Sequence, residues 1–105
     1  MNEYTVELSG DAQADVISIR DYIRDVLSNP SAASKFVSDT KEASLSLRTF
    51  PYSHMVRPGS KLLGGLEKRQ YCYRENYILF YVIVEEKKLV RVIEVAYTPS
   101  DLSNV

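Results

Sequence analysis

The sequence predicts an α+β fold: an N-terminal strand, a two-helix hairpin, then a three- to four-stranded antiparallel meander that completes one curved sheet. Three observations predict it. In the first half, apolar residues recur at spacings of three and four, the period of a helix with one buried face. In the second half they alternate or run together in short stretches separated by tight-turn residues, as in strands. A lone alternating segment, Tyr4-Thr5-Val6-Glu7-Leu8, precedes both helical patterns. At 105 residues the chain fits one domain with one modest core, residues 1–105.

Each element has a local reason. Ser9 is placed to cap the helix after the first strand, since its hydroxyl can accept from an unpaired first-turn N–H. Ala12, Val16, Ile19, Ile23 and Val26 form the apolar face of that helix, and Asp11 and Asp15 lie near its positive end. Asn29-Pro30 ends it and starts the next: Asn29 caps, and Pro30 suits the first helical position, where its missing N–H had no partner. Ala33, Phe36 or Val37, Thr40, Ala43 and Leu47 line one side of the second helix, which Phe50-Pro51 closes. The apolar faces of such a hairpin need a sheet to cover.

The sheet follows. Tyr52 to Arg57 reads as a short strand, with turns at Pro58-Gly59-Ser60 and Gly64-Gly65. Leu66 to Arg74 reads as a strand, and Glu75-Asn76 as a tight turn. The run from Tyr77 to Val84 is almost wholly apolar, which suits a central strand buried on both faces. Glu85 to Lys88 is a polar turn, and Leu89 to Ala96 is the last strand. The tight turns make these C-terminal strands antiparallel.

Composition narrows the chemistry. His54 is the only histidine and Cys72 the only cysteine, so no metal cluster, cofactor or internal disulfide is expected. Cys72 is expected as a small buried side chain, and His54 on the surface or in a loop. No segment is apolar enough to span a membrane, and Met1-Asn2-Glu3-Tyr4 does not resemble a secretory signal, so a cytoplasmic location is expected. No paired carboxylates, phosphate loop or Ser/His/Asp set is legible. The net charge of −1 hides an asymmetry. Residues 1–42 carry eight acids against four bases, whereas residues 48–74 carry six bases (Arg48, Arg57, Lys61, Lys68, Arg69, Arg74) against Glu67 alone. That half can present a local positive face.

Alternation puts Arg69, Tyr71 and Tyr73 on one face of their strand, with Gln70, Cys72 and Arg74 on the other. Together with Arg57, Lys61 and Lys68, such a set can hold phosphates by charge and stack bases on rings. Arginine and lysine also stabilise the charge of a phosphodiester transition state. A tyrosine can move protons only if its neighbours lower its pKa from near 10, as nearby arginines would. Packing is the competing role for most of the eight tyrosines. Tyr97 differs, because it ends the last strand just before Thr98-Pro99, where folding does not require it.

In this order the pieces resemble the RelE/ParE toxin family over nearly the whole chain. The resemblance rests on Tyr4 to Ser9 running into Asp11-Ala12-Gln13-Ala14-Asp15, on Tyr22-Ile23, and on the junction Asn29-Pro30-Ser31-Ala32-Ala33. It continues through Leu47 with Phe50-Pro51 and Arg57, through Arg69, Asn76-Tyr77 and Phe80-Tyr81, and through Val90 to Val95. The resemblance implies a neighbour-encoded antitoxin that wraps the toxin. It implies one of two poisons: a metal-free ribonuclease acting on mRNA at the ribosome, or a non-enzymatic inhibitor of DNA gyrase. On the first reading Arg69 and Tyr97 are catalytic, with Arg57, Lys61, Lys68, Arg74, Tyr71 and Tyr73 binding substrate. An inactive module that only grips its antitoxin is a third possibility. The ribonuclease is the leading expectation. Against it, Ile78 and Pro99 stand where ribonucleolytic members often carry arginines, and Tyr97 replaces a frequent histidine. Asp101 matches an aspartate frequent near the end, and the C-terminal tyrosine of some nucleases is missing.

Overall fold

The computed structural model describes residues 3–61, 64–74 and 76–98. Strand β1, Thr5–Leu8, leads into helix α1, Gly10–Asp21, which continues through one π-turn, Tyr22–Val26. Helix α2, Pro30–Ser46, follows, then a 3-10 turn over Pro51–Ser53. Four strands complete the chain: β2, Val56–Lys61; β3, Glu67–Tyr73; β4, Tyr77–Val84; and β5, Leu89–Tyr97. They form one sheet in the order β1-β5-β4-β3-β2. Strands β2 to β5 are the expected antiparallel meander, and β1 joins it in parallel beside β5, with Val6 opposite Val90.

Both helix starts follow from their caps. The Ser9 hydroxyl accepts from the Ala12 N–H at 3.1 Å, and the Asn29 amide oxygen from the Ala32 N–H at 3.1 Å, with Pro30 in the first turn. Both bonds pair donors that a helix cannot satisfy internally. The π-turn corrects the expected face of the first helix. Its Leu27 N–H reaches the Tyr22 carbonyl, five residues back, so one extra residue enters the turn and later side chains rotate away. Ile23 stays buried, whereas Val26 points outward, 65% exposed. On α2 the structure selects Phe36 for the core and leaves Val37 near the surface.

The helices cover one face of the sheet. Ala12, Ile23, Ala33, Phe36, Ala43 and Leu47 pack there against Tyr73, Leu79, Tyr81, Val90, Val92 and Val95. β4 is buried on both faces, as its sequence predicts, because Phe80 and Val82 on the far side are also covered. Two irregularities shape the sheet. Between Phe80 and Tyr81 the pairing jumps from Glu94 to Val92, leaving Ile93 as an extra residue in β5. In β2 the expected turn at Pro58-Gly59-Ser60 lies inside an edge strand, as a register shift with Gly59 at φ 72°. An edge bulge accommodates both a missing proline N–H and a left-handed glycine. Tyr52 and Ser53, expected in that strand, instead belong to the 3-10 turn.

Candidate functional site

The β3 residues expected to meet substrate divide between the two sheet faces, and the division reverses the expectation. Arg69, Tyr71 and Tyr73 do share a face, but it is the helix-covered one. Tyr73 is core, 6% exposed, and its hydroxyl bonds Thr40 of α2 at 2.6 Å. Burial pushes its pKa up to about 12, the opposite of what proton transfer at neutral pH requires. Tyr71 is half-buried, its ring stacked on His54 at 3.9 Å.

Arg69 is held by the backbone. Its guanidinium donates to the His54 carbonyl at 2.7 Å and to the Tyr52 carbonyl at 3.5 Å, and lies 5.0 Å from the Tyr52 ring centre. Tyr52 in turn donates to Glu85, as Tyr4 does, both at 2.7 Å, and Lys88 pairs with the same carboxylate. The carboxylate of Glu85 falls to about 2, chiefly through Lys88, then Tyr52 and Tyr4. Its hydrogen bond raises Tyr52 to about 12. Partial burial and then the charge of Arg69 lower the pKa of His54, so the imidazole is neutral at physiological pH. The effect of Arg69 on this cluster is thus to hold the 52–54 segment in place. The stacking role of His54 was not legible, because the sequence places it seventeen residues from Tyr71 with no shared motif.

The open face carries the other residues. Lys68 sits 4.7 Å and Arg57 5.5 Å from the Phe80 ring centre, and their stems shield that ring. Lys68 also reaches Glu94 at 3.5 Å, and Arg57 donates to Gln70 at 3.2 Å. Beside them Cys72, Ile78 and Ala96 form one cross-strand row. Cys72 is exposed, not buried as expected, because no described helix crosses this face. Arg74 leaves β3 at φ 53° and pairs with Asp39 of α2 at 3.1 Å. Lys61 ends β2, where its backbone alone is described. Pro99 and Asp101 lie outside the described residues.

Tyr97 lies on the helix side between Tyr77, at 5.5 Å, and Tyr22, at 6.1 Å, against a cleft of about 410 Å³ bounded by Ser18, Ile19 and Val95. So its ring is engaged in packing, contrary to the expectation of a side chain not needed for folding. Arg69 pairs with Tyr81, whereas Tyr97 pairs with Tyr77, four positions further along β4 and one strand beyond it. At about 3.3 Å per residue and 4.8 Å per strand, roughly 16 Å separates Arg69 from Tyr97. Among the described residues no His, Cys, Asp or Glu cluster suits a metal, and no helix is long and apolar enough to cross a membrane.

A family model described as the ParE toxin of the type II toxin-antitoxin system, parDE, matches residues 6–101. The chain belongs to the ParE toxin family. It is therefore the toxin type of a type II toxin–antitoxin system. Its fold is similar to solved structures of this kind. The chromosomal ParDE system from P. aeruginosa superposes with a TM-score of 0.72 at 21% identity, covering 94% of this chain and 100% of that one. The toxin–antitoxin complex RelBE2 from Mycobacterium tuberculosis gives 0.58 at 21% identity, covering 90% and 98%. No curated protein matches the sequence. Ile78 and its row lie on the open sheet face toward one end of the strands, while Arg69 and Tyr97 lie on the opposite face.

Proposed function

We propose that this ParE-family toxin arrests growth by gripping a protein target, DNA gyrase, without cutting RNA. The observation that carries the reading is the separation of the groups a nuclease would need. Cleaving one phosphodiester requires charge stabilisation and proton transfer within hydrogen-bond reach of the same few atoms. Arg69 and Tyr97 stand roughly 16 Å apart by strand geometry, and Arg69 already donates to a carbonyl at 2.7 Å. Lys68 and Arg74 have acidic partners, and the open-face row of Cys72, Ile78 and Ala96 is apolar. These features favour recognition of a protein over recognition of a phosphate chain.

The antitoxin is the second partner in the proposal. Val6 and Leu8 of β1, Val16 of α1, and Val37 and Leu45 of α2 line an apolar groove of about 230 Å³. β1 is an edge of the sheet, open to an added strand. An extended or helical antitoxin segment laid there buries apolar surface and pairs the strand edge.

The test is induced expression of the chain alone in a bacterium, following growth, transcript 5′ ends and a DNA-damage reporter together. Arrest with intact messages and an induced reporter is the expected result. New 5′ ends inside translated messages, abolished by Arg69→Ala or Tyr97→Phe, would overturn it in favour of the nuclease.

A further inference from the structure

We infer that the segment from Phe50 to Met55 is the surface by which this toxin engages its target protein, inserting into an apolar pocket rimmed by carboxylates. The inference rests on the protein-target reading above. Two properties of the segment carry it: three of its large side chains are exposed, and its backbone carbonyls are held by protein donors.

Phe50 is 71% exposed, Met55 58% and Tyr52 51%, three large apolar or aromatic side chains within six residues. Exposed loops usually hold their backbone loosely, bonded to water. Here five of the six carbonyls have protein donors. The Phe50 carbonyl accepts from the Ser53 hydroxyl at 2.7 Å, and the Pro51 carbonyl from the buried Tyr81 hydroxyl at 2.6 Å. Arg69 serves the Tyr52 and His54 carbonyls, and the Gln70 N–H donates to the Met55 carbonyl at 3.0 Å. Tyr52 is tied to Glu85 at 2.7 Å, and His54 is stacked on Tyr71. None of these bonds buries Phe50 or Met55. A rigid segment that leaves its apolar tips in water loses little entropy when a partner covers them, the property of interface anchors.

Charge indicates the kind of partner. Between Glu42 and Glu67 the chain has no acid, while Arg48 and Arg57 flank the segment. Both are exposed, and neither pairs with an acid among the described residues. An apolar tip between two exposed guanidiniums complements an apolar pocket with an acidic rim. It does not suit a basic partner.

The experiment compares the full chain with Phe50→Ser/Met55→Ser, with Arg48→Glu, and with the control Val26→Ser. Val26 is similarly exposed but lies on the π-turn. Each protein is assayed for inhibition of supercoiling by purified DNA gyrase, for growth arrest on expression, and for capture of the neighbour-encoded antitoxin, with thermal melts to verify folding. The double variant should weaken gyrase inhibition by about thirtyfold or more, the loss of one strong hot spot. Arg48→Glu should weaken it by several-fold and reduce its salt dependence. Val26→Ser should match the parent, and antitoxin capture should persist throughout. If the double variant inhibits gyrase as the parent does, the inference is wrong while the gyrase reading stands. If it loses the antitoxin and keeps its toxicity, the segment is an antitoxin contact and the inference is again wrong. If the parent arrests growth without touching gyrase, the gyrase reading falls. Relief of that arrest in the double variant alone then still supports the segment as the target surface, and undiminished arrest overturns both.

Discussion

At the scale of single residues, Glu85 joins parts of the chain that are remote in sequence. Tyr4 ahead of β1, Tyr52 in the 3-10 turn and Lys88 at the head of β5 all converge on its carboxylate. Because its folded pKa falls to about 2, its stabilising contribution is fully present above the ordinary carboxylate range. It is lost as pH falls from about 4.5 toward 2. His54 acts in the same direction at higher pH. Its pKa is lowered on folding, so the unfolded chain takes up the proton first and stability declines as pH falls below about 6.5. Urea midpoints measured from pH 7.5 to 2.5 should therefore fall in two steps. Glu85→Gln should lower the neutral-pH midpoint and flatten the lower step, and His54→Gln should remove the upper one. An acid limb unchanged by Glu85→Gln would show that the cluster is cosmetic. Little of this was legible in the sequence. Arg69 stood out as chemistry because arginine on a strand beside tyrosines has the composition of a phosphate site. What its guanidinium meets depends on where the 50–55 segment folds back, and no periodicity records that.

At the scale of elements, local rules carried most of the fold. The caps at Ser9 and Asn29, the apolar stripe of α2, the doubly buried run of β4 and the turns of the meander are set by neighbours a few residues away, so the sequence displays them. Asn29→Ala should lower stability by about 1 kcal/mol through loss of the bond to the Ala32 N–H. A melt shows this as a Tm lower by several degrees, and Pro30, already in a helical conformation, limits the loss to the cap. The misread elements are those decided at longer range. The π-turn turns Val26 outward, although the three-and-four spacing placed it in the core. Pro58-Gly59 reads as a turn, yet β3 draws it into an edge strand with a bulge. The alternation of β3 gave the right partition of its residues and no indication of which set the helices cover. That choice reversed the expected site, putting Tyr73 in the core and Cys72 in the open.

At the scale of the whole molecule, the helices and the sheet expose two unlike surfaces. The groove of Val6, Leu8, Val16, Val37 and Leu45 is concave and apolar, whereas the Phe50–Met55 segment presents exposed side chains between basic flanks. If the groove holds the antitoxin, Leu45→Asp should weaken antitoxin capture by at least about tenfold, because a carboxylate would be buried without a partner. Growth arrest should remain, so the variant should escape neutralisation and be more toxic beside its antitoxin than the parent. Equal rescue of both by co-expressed antitoxin would exclude the groove. The order of the sheet carries a further consequence, for the moment of synthesis. β1 is made first, yet its neighbour β5 is made last, and Glu7 meets Arg91 across 84 residues. At about 5–20 residues per second, roughly 4–17 seconds pass between the two strands leaving the synthesis site. Throughout that interval β1 lacks its partner strand, and the five-stranded sheet is incomplete. The parallel edge of the sheet therefore forms only after nearly all of the described residues have been synthesised.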